Sequence, residues 1–124
     1  MKTIHTNQAP EAIGPYSQAV AVGGMLYTSG QIAINPKTGQ VEADDIAGQT
    51  EQIMQNLGAV LREAGIGFEN AVKTTCFLAD MDDFAVFNEI YGKYFTGKPA
   101  RSCVAVKTLP KNVLAEVEVI AVLG

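Results

Sequence analysis

The sequence predicts an α+β fold: strands and helices in the order β-β-β-α-β-α-β-β, with two helices on one face of a sheet. Three observations carry this. The apolar period switches at Asp45 from the alternation of strands to helical spacing. Two helices can cover only one face of such a sheet. The last strand is nevertheless apolar on both faces, with Ala115, Val117, Val119 and Ala121 on one side and Leu114, Ile120 and Val122 on the other. A strand buried on both sides needs a second cover, and another copy of the chain is the simplest one.

Each element has a local reason. Lys2 to His5 forms a short strand, and Thr6 to Pro15, with Pro10, Gly14 and Pro15, forms a loop. Ser17 to Val22 and Met25 to Ser29 are β-compatible runs joined by Gly23-Gly24, a hairpin signal. Asn35-Pro36-Lys37-Thr38-Gly39 reads as a turn. Ile46, Thr50, Ile53, Met54, Leu57, Val60, Leu61 and Ala64 share one helical face, with Asp44 or Asp45 to cap its start and Gly65 to stop it. Ala71 to Leu78 alternates as a strand. A second helix follows, capped by Asp82 or Asp83, with Phe84, Phe87, Ile90, Tyr91 and Tyr94 on one stripe and Gly97 and Pro99 at its end. Ala100 to Lys107 and Leu114 to Val122 are the closing strands, separated by the Leu109-Pro110-Lys111-Asn112 turn.

The chain reads as a single domain over residues 1–124, without repeat or linker. Apolar residues make up 48% and charged residues 18%, the balance of a globular rather than a disordered chain. A net charge of −4 argues against nucleic acid as the main partner, since phosphate binding needs a basic patch. No run approaches the roughly 20 apolar residues that cross a bilayer, and MKTIHTNQAP has no apolar leader core. A cytoplasmic address is the expectation. Cys76 and Cys103 match no metal or redox spacing and sit in apolar runs, which reads as two reduced core thiols. His5 is the single histidine, so no multi-histidine metal cage can form and a Ser-His-Asp site has little room. No metal or cofactor is expected.

The densest oddity is PARSCVAV, Pro99 to Val106, where Arg101 opens a largely apolar strand. A guanidinium there is costly unless paired or functional. One reading is a cross-strand ion pair with Glu116 or Glu118. The other is a two-pronged clamp on a substrate carboxylate, with a glutamate handling a proton or a water. GPYSQ places Tyr16 between a stiffened loop and a strand, where an isolated tyrosine is more often packing than catalysis. TSGQ, Thr28 to Gln31, is by itself an ordinary strand exit, although Gly30 allows a ligand close to the backbone. Asn88 and Tyr91 lie three apart on one side of the second helix, with Tyr91 also part of its apolar stripe.

In combination these residues are far more specific. IGPYSQAV at 13–20, YTSGQI at 27–32, DMDDFAVFNEIYGKYF at 80–95 and PARSCVAVKTLPKNVLAEVEVIAV at 99–122 occur in order. Together they resemble the RidA (YjgF) family of reactive-intermediate deaminases, and the resemblance spans essentially the whole chain. It implies a chorismate-mutase-like α+β fold and a homotrimer with active sites between subunits. The implied reaction is hydrolysis of 2-imino acids and their enamine tautomers, such as 2-aminoacrylate and 2-iminobutanoate, to 2-keto acids and ammonia. Under this resemblance Arg101 matches the carboxylate-binding arginine, without which relatives are not expected to be deaminases. Glu116 matches the residue that positions the attacking water. Tyr16, Ser29, Gly30, Asn88 and Cys103 match other cleft positions, Gly30 and Cys103 through their backbones. Tyr91 also fits the pattern. The segment between Phe95 and Pro99 is shorter than in some relatives, which leaves the cleft rim and the size of substrate open.

Two other functions compete with the deaminase. A ribonuclease or translation inhibitor is an activity also ascribed to this family, but the acidic balance opposes it. A metabolite-sensing or protein-binding regulatory module would reuse the same cleft without turnover. On the deaminase reading, imine turnover is expected to survive dialysis against a strong chelator. Loss of activity restored by one divalent ion would contradict it.

Overall fold

Three short strands open the computed structural model, which describes residues 1–124: β1 (Lys2–Ile4), β2 (Ala19–Val22) and β3 (Met25–Thr28). Gly23 and Gly24 both take left-handed backbone, φ 60° and 77°, so β2 turns straight back onto β3. The turn expected at Asn35–Gly39 is present, and it joins two short strands that were not expected, β4 (Ile34–Asn35) and β5 (Gln40–Val41). Two-residue strands leave no alternation to read, which hid them in the sequence.

Helix α1 (Ile46–Glu63) starts where Asp45 accepts a bond from the Gly48 amide at 2.8 Å. It buries Ile53, Met54, Leu57, Val60 and Leu61, the stripe its period predicts. Strand β6 (Ala71–Leu78) follows, then helix α2 (Phe84–Tyr94). Of the two expected caps, Asp82 and Asp83, the helix starts from Asp83. Asp83 stands at the cap position but its side chain makes no capping bond, whereas Asp80 accepts from the Asp82 amide at 2.9 Å. A short 3₁₀ turn, Met81–Asp83, leads into α2 and moves the capping aspartate upstream. Strand β7 (Ala100–Ala105) and strand β8 (Ala115–Val122) close the chain.

Six strands form one mixed sheet in the order β1-β2-β3-β8-β6-β7, with only β6 and β7 parallel. The parallel pair needs a crossover connection, and α2 supplies it. Residues paired across the ladder share a face, so Leu26, Thr74, Val117, Val119 and Ala121 all point the same way, toward the core shared with α1 and α2. All five are buried. The opposite face has no helix. It carries Ile120, Phe77, Glu116 and Glu118 half-buried, and leaves Val104 48%, Val22 46%, Tyr27 41% and Val122 40% exposed. This is the doubly apolar last strand seen in its sheet. No helix is long and apolar enough to cross a membrane.

An apolar sheet face without a cover favours association. Ile120→Lys is expected to lower the solution mass toward the 13.2 kDa of one chain while far-ultraviolet circular dichroism is unchanged, measured by sedimentation equilibrium. A parent protein already monomeric at high micromolar concentration would contradict this.

Candidate active site

The residues singled out in the sequence fall into two groups on different surfaces of the chain. Tyr16, Ser29, Gly30 and Glu116 line one cavity of about 390 Å³, together with Glu11, Gln18 and Lys111. Arg101 and Asn88 line another of about 430 Å³, with Tyr91, Lys98 and Thr96. Cys103 lines neither. It sits half-buried two residues beyond Arg101 on the same strand, directly opposite Cys76.

The proposed cross-strand pairing of Arg101 with Glu116 or Glu118 is corrected by the topology. Strand β6 lies between β7 and β8. Arg101 stands opposite Thr74 on the helix face, whereas Glu116 stands opposite Phe77 on the uncovered face. The one acid–base contact within 4 Å is elsewhere, between His5 Nε2 and Glu11 Oε1 at 3.0 Å.

Arg101 instead meets α2. Its Nη1 donates to Asn88 Oδ1 at 2.7 Å, and its guanidinium lies 4.7 Å from the Tyr91 ring centre and 5.4 Å from that of Phe84. Tyr91 is fixed in turn by a 2.7 Å bond between its hydroxyl and that of Thr74, and by stacking on Phe95. Two rings and an amide thus hold a cation that has no carboxylate beside it. Such a cation can take an anion by its free N–H groups. The sequence signalled Arg101 and Asn88, but the role of Phe84 was hidden within an ordinary apolar stripe.

The other cavity is built by a loop and a strand exit. Gln18, buried, accepts from the Thr6 amide at 2.7 Å and donates to the carbonyls of Thr6 and Pro10 at 3.1 and 2.8 Å. That carboxamide pins the N-terminal loop as one wall, a function its position in GPYSQ did not disclose. Tyr16 Oη accepts from the Ile13 amide at 3.2 Å, and Ser29 Oγ donates to the Ser17 carbonyl at 2.6 Å. At Gly30 a Cβ would overlap the Glu116 carboxylate, so it is Glu116 that needs the missing side chain. Lys98 and Lys111, one at each cavity, both have left-handed backbone, φ 54° and 56°. Neither stood out in the sequence, where each lay within a turn.

Burial raises the Glu116 carboxyl above its usual value of 4.5, and Glu118 on the same face raises it further. Burial also pushes Cys76 up to about 12 and raises Cys103, with Arg101 opposing, so neither thiol is a ready nucleophile at neutral pH. No three of His, Cys, Asp and Glu come together as a metal site.

An α+β protein with a guanidinium that has no carboxylate partner in one cavity and a half-buried carboxyl in another is the class that fold and geometry define. Residues 6–123 match the family model described as endoribonuclease L-PSP. The chain belongs to this family, that of the YjgF, RidA and RutC proteins. It is similar to a RutC family protein of Synechocystis, with 55% identity over 99% of this chain and 97% of that one. It is 51% identical to the 2-iminobutanoate/2-iminopropanoate deaminase of Escherichia coli K12, over 98% of this chain and 97% of that one. Among solved structures, E. coli TdcF with bound serine superposes with a TM-score of 0.93 at 44% identity, over 98% of each chain.

The raised carboxyl has a consequence for stability. Below its unfolded-state pKa near 4.5, Glu116 is protonated both folded and unfolded and does not affect the balance. As pH rises through the raised folded value, the unfolded chain ionises first and the fold loses the stability of the neutral form. Glu116→Gln removes that loss. Its melting midpoint is expected to equal or exceed the parent's at pH 7, with the difference fading at pH 4. A variant clearly less stable at pH 7 would mean Glu116 has a favourable partner after all.

Proposed function

We propose that the chain hydrolyses 2-imino acids, with the enamines in equilibrium with them, to 2-keto acids and ammonia. The observation that carries this is the Arg101 guanidinium, held by Asn88, Tyr91 and Phe84 and facing a cavity with no acidic partner. A carboxylate-bearing small molecule fits that setting, and the named activity of the E. coli relative supports the same choice.

Arg101 and Glu116 stand on opposite faces of the sheet, so one copy does not bring them to the same substrate. In this reading the cleft forms between copies, the arginine cavity of one meeting the glutamate cavity of its neighbour. The uncovered apolar face drives the association, and the family resemblance implies three copies.

A protonated imine is already electrophilic, so the attacking water needs orientation and a proton acceptor more than strong activation. Arg101 binds the α-carboxylate and fixes which face of the C=N bond meets water. Glu116 takes a proton as the water oxygen bonds to C2, giving a tetrahedral amino alcohol. The same carboxyl returns the proton to nitrogen and takes the hydroxyl proton as the C–N bond breaks, so that ammonia leaves and C2 keeps the C=O of the keto acid. Passing that last proton to the departing ammonia gives ammonium and restores the carboxylate. Its raised pKa suits a group that holds and returns a proton. Tyr16, Ser29 and the Gly30 backbone shape the water side, while Asn88 orients Arg101 and the Cys103 backbone borders it.

The test is coupled turnover, with the imine generated enzymatically and keto-acid release followed. Arg101→Lys keeps the charge but loses the fork, and turnover is expected to fall at least about tenfold with assembly intact. Glu116→Gln is expected to lose roughly 100-fold in turnover while still binding a 2-keto acid. Glu118→Gln, which removes only the smaller cause of the raised Glu116 pKa and leaves burial in place, should remain near the parent. Parental turnover in either of the first two variants would remove that residue's role. Saturable keto-acid binding without any imine turnover would replace hydrolysis with a sensing function.

A further inference from the structure

A second basic residue, Lys98, borders the arginine cavity. Its lining includes Arg101 and Lys98 and has no aspartate or glutamate. The position of Lys98 is unfavourable. Only Thr96, Gly97 and Lys98 separate Phe95 from Pro99, and the turn closes by a bond from the Lys98 amide to the Phe95 carbonyl at 3.2 Å. The closure puts Lys98 at φ 54°, a region glycine occupies freely and a lysine occupies under strain. A strained residue bordering a candidate site points to function.

We propose that Lys98 forms a second anion subsite beside Arg101, so that the cleft favours 2-imino acids bearing a distal carboxylate. The inference rests on the hydrolysis reading above and specifies its substrate class. Arg101 has one shown bond, to Asn88, and its remaining N–H groups are available to the α-carboxylate. The ammonium of Lys98, on a flexible four-carbon stem, meets the second charge. The turn that carries it is short, so the lysine stays at the rim of the same cavity. A volume of about 430 Å³ falls in the range that holds small ligands.

The test compares two five-carbon keto acids that differ only at the far end, 2-oxoglutarate and 2-oxopentanoate, by titration calorimetry on the assembled protein. The parent is expected to bind 2-oxoglutarate about threefold or more tightly at low ionic strength, in keeping with an exposed charge pair, and the preference should shrink with added salt. Lys98→Gly relaxes the backbone at that position, so folding is not at risk, and it should abolish the preference. Lys93→Gln, on the exposed end of α2, should keep it. Equal binding of the two acids by the parent, or a preference that survives Lys98→Gly, overturns the subsite and leaves the hydrolysis reading standing. Absence of saturable binding for both acids overturns the two together.

Discussion

The pleat of β6 fixes everything at the candidate site. This strand lies between β7 and β8, and a residue shares its face with the partner directly across each ladder. Arg101 pairs with Thr74, and Glu116 pairs with Phe77. The separation from 74 to 77 is odd, so the cation and the carboxyl project from opposite faces. A one-residue slip of β8 would bring them to the same side. It would also turn Ala115, Val117, Val119 and Ala121 out of the core, so the buried alternation locks the register. Separation of the two side chains is thus a by-product of packing the core correctly.

Holding an unpaired guanidinium at the edge of that core requires compensation. The rings of Tyr91 and Phe84 offer their negative faces, a contribution of about 0.5–2 kcal/mol for a partly desolvated cation. Asn88 satisfies one donor. Tyr91 acts twice, because its hydroxyl is tied to Thr74 inside the core while its ring supports Arg101. The site is therefore anchored in the packing, which keeps the cation in place without neutralising it. On the other face, Glu116 lies against a glycine backbone that leaves room for it, and water is only partly excluded from its carboxyl.

Much of this was legible in the sequence, for identifiable reasons. The stripes of α1 and α2 and the double apolarity of β8 are periodic, and periodicity survives without coordinates. Arg101, Asn88, Tyr16 and Glu116 were visible through motif resemblance, although their division between two cavities was not. That division depends on strand order, which pairing a chain into sheets decides and which the elements alone do not reveal. The reading of Arg101 as an ion-pair partner of the glutamates failed because β7 and β8 are neighbours in sequence but not in the sheet. The β4–β5 hairpin was too short for alternation, and the Asp80 cap was displaced by a 3₁₀ turn. Gln18 was missed for another reason: its bonds reach back to the loop at Thr6 and Pro10, a three-dimensional relation with no local pattern.

The place of β8 also bears on how the chain becomes structured. It is the last strand in sequence yet stands fourth of six in the sheet, with β3 and β6 on its two sides. During synthesis, β1 to β3 and the β6–α2–β7 unit emerge first as two half-sheets with no ladder between them. Each presents an unpaired edge until residues 115–122 leave the ribosome. Closure is then a late, long-range event that joins Met25 to Val122. Such non-local pairing is slow compared with helix formation, and the open edges are exposed to wrong partners in the interval. Cutting away the final strand would remove the seam of the molecule rather than a tail.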